Sequence, residues 1–255
     1  MKKNESVIKT LRLQVLLARF GIASRRGVVS LIEEGHVRVN DVVIREKGFH
    51  IDERRDKVSI DDQPLPINTN RSLRYFVLNK PKGVMTTLQD PHATRTVSDF
   101  FKHVDERIFP VGRLDRDTTG LILMTNDGEL AFRLTHPKFG VKKRYRVYIR
   151  GAIRPSDIKI LGEGVLLEGE EQTAPCQIEI ITKLPTETVL LVTLHEGKKR
   201  QIRRMFRHLN RLVIGLERLS YGPLALGDLP QGAHRELTRQ EVEALKKATF
   251  LLNSQ

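Results

Sequence analysis

The stretch Gly112-Arg113-Leu114-Asp115-Arg116-Asp117-Thr118-Thr119-Gly120 gathers carboxylates, guanidinium groups and two hydroxyls between glycines, and the apolar run Leu121-Ile122-Leu123-Met124 follows at once. A loop anchored by a buried strand can aim a side chain at a substrate. A carboxylate beside an arginine has its charged form favoured. In a site that excludes water it is a competent nucleophile or base. Taken alone, an aspartate in a loop is an ordinary solvated turn, so the rest of the chain has to separate the two readings.

Composition points to a polyanionic partner. The 255 residues carry 44 Lys plus Arg against 31 Asp plus Glu, a net charge of +13. Such a field favours nucleic acid, and binding through released counterions is strong and salt-sensitive. The charge is clustered. Six basic residues and no acid lie between Lys142 and Arg154, with Tyr145 and Tyr148 interleaved. From Glu196 to Arg218 there are eight Lys or Arg and two acids. The pattern over Gln201–Leu209 predicts a helix, with Arg200, Arg203, Arg204 and Arg207 along one face and Ile202, Met205, Phe206 and Leu209 along the other. Like charges at that spacing repel, and a polyanion offsets the repulsion.

Aromatic residues are few: no Trp and four Tyr. A broad stacking platform for single strands is therefore not expected, and one tyrosine against one base is more economical. Tyr145 and Tyr148 sit three apart on a strand-like run, so they face opposite ways and only one lines a given pocket.

Several chemistries are missing from the sequence. It has no phosphate-binding Walker loop, no Gly-x-Gly-x-x-Gly after a strand, no His-Glu-x-x-His and no Gly-x-Ser-x-Gly. The eight histidines are scattered, and His92, His136 and His195 read as structural or surface residues. The single cysteine, Cys176, rules out an internal disulfide and fits a reducing compartment. No Cys or His cluster has metal-ligand spacing, so no metal is expected. Apolar runs are too short to span a bilayer, and Met1-Lys2-Lys3-Asn4-Glu5 precedes no signal-like stretch, so a cytoplasmic location is expected.

What remains is a carboxylate in basic surroundings, which suggests chemistry on a folded RNA. A target atom there is hidden, so its nucleotide must flip out at a cost of roughly a few kcal/mol. Stacking on a tyrosine recovers roughly 1–3 kcal/mol. The expected kit is a nucleophilic Asp, a counter-charged Arg, a stacking Tyr and basic strips for the flanking phosphates.

The elements that must position this kit fall into two modules. Residues 1–60 read as a small one. Leu11–Phe20 has helical periodicity. Ser24 caps a second helix that runs to Glu34 and stops at Gly35. Val37-Arg38-Val39 and Val42-Val43-Ile44 flank the turn pair Asn40-Asp41. Residues 1–70 hold 13 basic and 10 acidic residues, so any binding face there is local, made by Arg12, Arg19, Arg25, Arg26 and Arg38. Residues 61–72, with Pro64 and Pro66, read as a linker. Residues 73–255 form the larger module. Strand-like runs cover Tyr75–Leu78, Leu121–Thr125, Tyr145–Ile149, Ile178–Ile181 and Val189–Leu194. Helices are expected over Glu129–Leu134, Ser156–Leu161 and Gln201–Leu209, and a last one opens at the capping box Thr238-Arg239-Gln240-Glu241. The elements do not alternate regularly, which predicts an α+β fold with a mixed, mainly antiparallel sheet flanked by helices.

These motifs, in this order, resemble the RsuA/RluB/RluE/RluF family of ribosomal RNA pseudouridine synthases, and the likeness covers nearly the whole chain. Residues 11–58 resemble an S4 RNA-binding domain, through Gly21-Ile22-Ala23-Ser24-Arg25-Arg26 and Glu34-Gly35-His36-Val37-Arg38-Val39-Asn40. Asn79-Lys80-Pro81-Lys82-Gly83 is similar to the family's first motif and Gly112–Leu123 to its catalytic signature. Lys143-Arg144-Tyr145-Arg146-Val147 resembles its tyrosine motif. Glu196-Gly197-Lys198 through Arg204-Met205 resembles its basic motif, and Gly232–Glu241 its C-terminal stretch.

The resemblance implies Asp115 as nucleophile, Tyr145 stacked on the flipped uracil, Arg203 paired with Asp115, and Arg113 against RNA near the vacated stack. An apolar residue under the base is either Leu216 or Leu219. Substrate contacts are also expected from Thr118, Lys80, Arg200 and Arg204, and RNA contacts in the S4-like domain from Arg12, Ser24, Arg25, Arg26 and Arg38. The implied reaction detaches uracil from C1′, turns it and rejoins it through C5, with no metal and no cofactor. The implied partner is ribosomal RNA, 23S rather than 16S because length and pattern fall nearest the large-subunit members, and the chain is expected to act as a monomer. The other reading is a non-catalytic S4-type assembly factor. A pure binder needs the Lys and Arg but not a carboxylate that repels phosphate, so the coexistence of Asp115, Tyr145 and Arg203 favours the enzyme.

Overall fold

The structure, a computed structural model, describes residues 10–65 and 72–249. The chain divides into two compact units, Met1–Leu73 and Arg74–Gln255. The N-terminal pentapeptide and the 66–71 part of the expected linker, Pro66 included, lie outside the described residues, as does the side chain of Arg25.

The first unit contains β1 (Thr10–Arg12), α1 (Leu13–Arg19), α2 (Arg25–Glu34), β2 (Val37–Val39), β3 (Val42–Val43), β4 (His50–Asp52), β5 (Val58–Ile60) and β6 (Gln63–Pro64). Ser24 precedes α2 in an extended conformation, and its hydroxyl oxygen accepts the Gly27 N–H at 3.1 Å. Gly35 ends the helix at φ 88°. Leu13, Leu16 and Leu17 of α1 pack with Val28 and Ile32 of α2 in one apolar core.

Two expectations shift. The first helix starts at Leu13, because Thr10–Arg12 pair antiparallel with β4 instead. Residues 61–65 are not linker. Asp61 and Asp62, at φ 46° and 63°, turn β5 back into β6 just as Asn40 and Asp41, at 50° and 68°, turn β2 into β3. Short Asx side chains tolerate the left-handed region, which is why two such pairs close two hairpins.

The second unit contains β7 (Tyr75–Lys80), β8 (Phe109–Pro110), β9 (Thr119–Thr125), α3 (Gly128–Thr135), β10 (Lys143–Arg150), α4 (Pro155–Glu163), β11 (Leu166–Leu167), β12 (Glu171–Gln172), β13 (Gln177–Lys183), β14 (Glu187–Leu194), α5 (Gln201–His208), β15 (Val213–Tyr221), β16 (Leu224–Ala225), β17 (His234–Glu236) and α6 (Arg239–Ala248). The main sheet runs β13-β14-β10-β15-β9-β7-β17, with β16 on β15 and β8 on β9. Its described pairings are antiparallel except β15 with β9.

β7 and β9 are buried on both faces. Val77, Leu121 and Leu123 join α3 and α6 through Leu130, Leu134 and Leu245. Phe76, Leu78, Ile122 and Met124 meet Val97 and Phe101 on the other side. That double burial is why both strands read as unbroken apolar runs. α4 and α5 cover β10 and β14 through Leu161, Ile202, Met205 and Phe206. Sequence alone marks no strand over Val213–Tyr221, because Gly215, Glu217 and Arg218 interrupt its apolar pattern and two register shifts against β10 break the alternation. Among the described residues no helix is long and apolar enough to cross a membrane.

Candidate active site

The loop between β8 and β9 is fixed from several sides. Leu114 is buried, and its N–H and carbonyl both bond the Thr86 hydroxyl, at 3.2 and 2.8 Å. The Thr118 N–H donates to the Asp115 carbonyl at 3.0 Å, closing a tight turn. Gly83 N–H reaches the Arg116 carbonyl at 2.8 Å. Asp115 therefore leaves a backbone with little freedom.

Lys80 is part of this scaffold. It is 0% exposed, and its Nζ donates to the carbonyls of Val84, Pro81 and Arg116 at 2.9, 3.0 and 3.4 Å. Burial pushes its ammonium down to about 8, opposed by the charges of Asp117 and Asp115. Lys80, expected as a substrate contact, thus spends its donors on shaping the loop.

The cation on Asp115 is supplied from the approach to α5. Arg200 stands one residue before the helix at φ 50°. That left-handed backbone takes it off the helical stripe and sends its Nη1 to 3.8 Å from Asp115 Oδ2. Arg203, expected as the partner, instead donates from Nη1 to the Val213 carbonyl at 3.1 Å and from Nη2 to the Asp117 carbonyl at 3.2 Å. Burial and then the neighbouring Arg200 lower the Arg203 guanidinium below its ordinary value, while Asp115 and Asp117 pull the other way. Both arginines thus feel Asp115, but the direct ion pair belongs to Arg200.

Arg204 is also committed internally. Its Nη1 lies 2.6 Å from Glu171 Oε2, and its Nη2 donates to the Glu168 carbonyl at 2.7 Å. Glu171 reaches Lys198 as well, at 3.5 Å. Glu196 Oε1 accepts from Gln201 Nε2 at 2.6 Å and from the Ala174 N–H at 2.9 Å, and the Lys198 N–H donates to Gln201 Oε1 at 3.0 Å. The β11–β12 hairpin so fastens the segment that carries Arg200. The basic stripe looked free of acids because its counter-charge comes from a distant hairpin.

These elements enclose a pocket of about 580 Å³. Asp115, Arg113, Thr118, Arg200, Tyr145 and Leu216 all line it. Tyr148 does not, as strand alternation requires. Of the two leucines offered by sequence, Leu216 lines the pocket and Leu219 does not. Lys80, Arg203 and Arg204 are absent from the wall. Thr118 is buried, and its hydroxyl has no partner among the described residues. Lys143, Lys198, Arg218 and Tyr221 line the pocket and were not singled out by sequence. Lys143 was legible in principle, two residues before Tyr145 on the same side of the same strand. Arg218 stands opposite Tyr145 in β15 and was hidden with that strand.

Residues 74–208 match the family of RNA pseudouridylate synthases, over the segment that carries the Asp115 loop, Tyr145 and α5. The chain belongs to that family, and is a pseudouridine synthase. Residues 11–56 match the S4 domain. The Bacillus subtilis "Ribosomal large subunit pseudouridine synthase B" is 41% identical over 92% of this chain and 95% of its own length. The Vibrio cholerae "Ribosomal small subunit pseudouridine synthase A" is 36% identical over 88% of this chain and 94% of its own. A solved pseudouridylate synthase superposes with a TM-score of 0.67 at 32% identity, over 92% of this chain and 99% of that one.

In the first unit, Ser24 spends its hydroxyl oxygen on the α2 cap. Arg12 and Arg26 are exposed. Arg38 Nε pairs with Asp62 Oδ1 at 3.1 Å.

Proposed function

We propose that this pseudouridine synthase isomerises a uridine of ribosomal RNA, in the 23S molecule of the large subunit, with Asp115 as the nucleophile. The observation that carries the reading is Asp115 in the pocket wall, 3.8 Å from a guanidinium, with Tyr145 in the same wall. A uracil flipped into that pocket stacks on Tyr145 over Leu216, and Arg113 at the rim meets the RNA from which the base has left. The C1′–N1 bond breaks, the ring turns, and a C5–C1′ bond forms while C5 gives up a proton and N1 gains one. The ribosomal substrate is supported by the relatives' names and by the S4 match. Mapping pseudouridine in ribosomal RNA from cells with and without the gene tests it. One 23S position should lose the modification, and unchanged 23S maps would refute the assignment.

The two arginines should separate by assay. Arg200→Ala should slow single-turnover formation about 100-fold, the scale on which removing one electrostatic partner acts at a reacting centre, with little change in thermal midpoint because the side chain is half exposed. Arg203→Ala should destabilise the fold by about 1–3 kcal/mol, since two carbonyls lose a charged donor. Equal effects of the two changes on stability would contradict this division.

Removing residues 1–73 should weaken RNA binding and flatten its dependence on salt, because every phosphate left without its cation takes close to one unit off the slope. The fall of log K with log salt measures it. An unchanged slope would mean that the first unit does not hold phosphates.

A further inference from the structure

Two of the cations that line the pocket are buried. Lys143 and Arg218 line it at 8% and 2% exposure, whereas Arg113, Lys199 and Arg200, which also line it, are exposed. Both buried cations lie by the Tyr221 ring: Lys143 Nζ is 5.3 Å and Arg218 Cζ 4.9 Å from its centroid. Their hydrogen-bond partners are neutral. Lys143 Nζ donates to the Val141 carbonyl at 3.2 Å and Arg218 Nε to the Leu121 carbonyl at 2.7 Å. Arg218 Nη2 is buried with no partner, and no carboxylate forms an ion pair with either cation, among the described residues.

Two buried like charges that no direct ion pair neutralises cost stability, and the Glu196 carboxylate acts on Lys143 only at longer range. Sites that break the rules of a well-formed core are where function is found. The reaction proposed above creates the missing charge. When the C1′–N1 bond breaks heterolytically, its electron pair stays with the uracil, spread over N1, O2 and O4. Attack on the ring itself would instead push a pair onto O4. By either route the ring becomes an anion before C5 returns a pair to C1′. C5 then loses its proton and N1 takes one up, so no electrons are exchanged with any other species. Fixed cations in a dry site favour such developing charge.

We propose that Lys143 and Arg218 form an anion site for the detached uracil ring, while the exposed cations at the rim hold the phosphates. This rests on the reading of the pocket as the uridine site. The shared chemistry of ring anion and phosphate is separated by burial here, and by the choice of probes below.

The test is equilibrium binding to the full chain of two free bases: uracil, which is neutral, and 5-nitrouracil, whose ring is an anion at neutral pH. The anion should bind about tenfold more tightly. Lys143→Met and Arg218→Gln should each abolish that preference and leave uracil affinity nearly unchanged, and Lys143→Arg should keep it. The preference should fade as pH rises through about 8, where burial and then Arg218 bring the Lys143 ammonium down against the opposing charge of Glu196, because the charge is present below that value and lost above it. Lys143→Met should not lower the thermal midpoint, which sets it apart from a structural cation.

Equal affinity for the two bases, binding of neither, or a preference that survives Lys143→Met would overturn the proposal. So would a variant that keeps the nitrouracil preference but loses the preference for uridine monophosphate over uridine, since the two buried cations would then hold phosphate. No turnover enters these measurements, so they fail or succeed separately from the assignment of Asp115 as nucleophile.

Discussion

Asp115→Asn protein should form no measurable pseudouridine, a loss of at least about four orders of magnitude, while binding RNA nearly as well as the parent. In the proposed role, Asp115 supplies the step on which the other groups act, and residues that work as a unit show losses of this size. The amide keeps the volume of the carboxylate. Among the described residues the Asp115 side chain makes no hydrogen bond that holds the loop, which is fixed by Thr86, Thr118 and Lys80. RNA affinity is expected to be spared because one carboxylate among so many cations contributes repulsion. Single-turnover formation on a ribosomal RNA fragment, with filter binding on the same preparation, measures both. Turnover within a hundredfold of the parent would remove Asp115 from the nucleophile's role.

Gly120→Ala should be the most damaging change to the fold. Gly120 sits at φ 100°, and an added Cβ would lie 2.3 Å from the Arg218 carbonyl oxygen and 2.7 Å from its nitrogen. Those are backbone atoms of a neighbouring strand in a buried sheet, so they cannot swing aside. The clash falls where β9 meets β15, at the pairing of Gly120 with Arg218. The expected cost exceeds about 3 kcal/mol, a large part of the roughly 5–15 kcal/mol by which a domain is stable. Gly83→Ala provides the control. It has a comparable φ of 89° but nothing within 4 Å of the new methyl, so only the backbone penalty of about 1–2 kcal/mol applies. Thermal or urea unfolding of the two variants side by side checks the difference, and similar midpoints would show that β9 and β15 do not approach so closely.

Much of the scaffold could be read from local rules. Ser24 and Gly35 mark both ends of α2, Asn40-Asp41 closes a hairpin, and the apolar runs of β7 and β9 announce strands buried on both faces. Asp115 and Tyr145 do share one pocket. What could not be read depended on partners far away in the chain. Lys80 looks like a solvent-facing cation until the fold turns the carbonyls of Pro81 and Val84 back onto it and brings that of Arg116 from another segment. Arg204 looks available until Glu171 arrives from a hairpin. A helical wheel places Arg200 beside Arg203, but the turn before α5 is left-handed, and that one dihedral hands the Asp115 ion pair to Arg200. Arg218 stayed hidden because the strand carrying it has no clean alternation.

The parallel seam between β9 and β15 has a consequence for how the enzyme comes into being. Thr119 and Leu216, which touch across it, are 97 residues apart. As the polypeptide emerges during synthesis, the loop bearing Asp115 appears long before the wall bearing Leu216 and Arg218. Such distant closure is slow compared with local helix and hairpin formation. The pocket wall therefore cannot close until the segment through Arg218 has been made, and a product terminated before it would leave Asp115 on an open shelf.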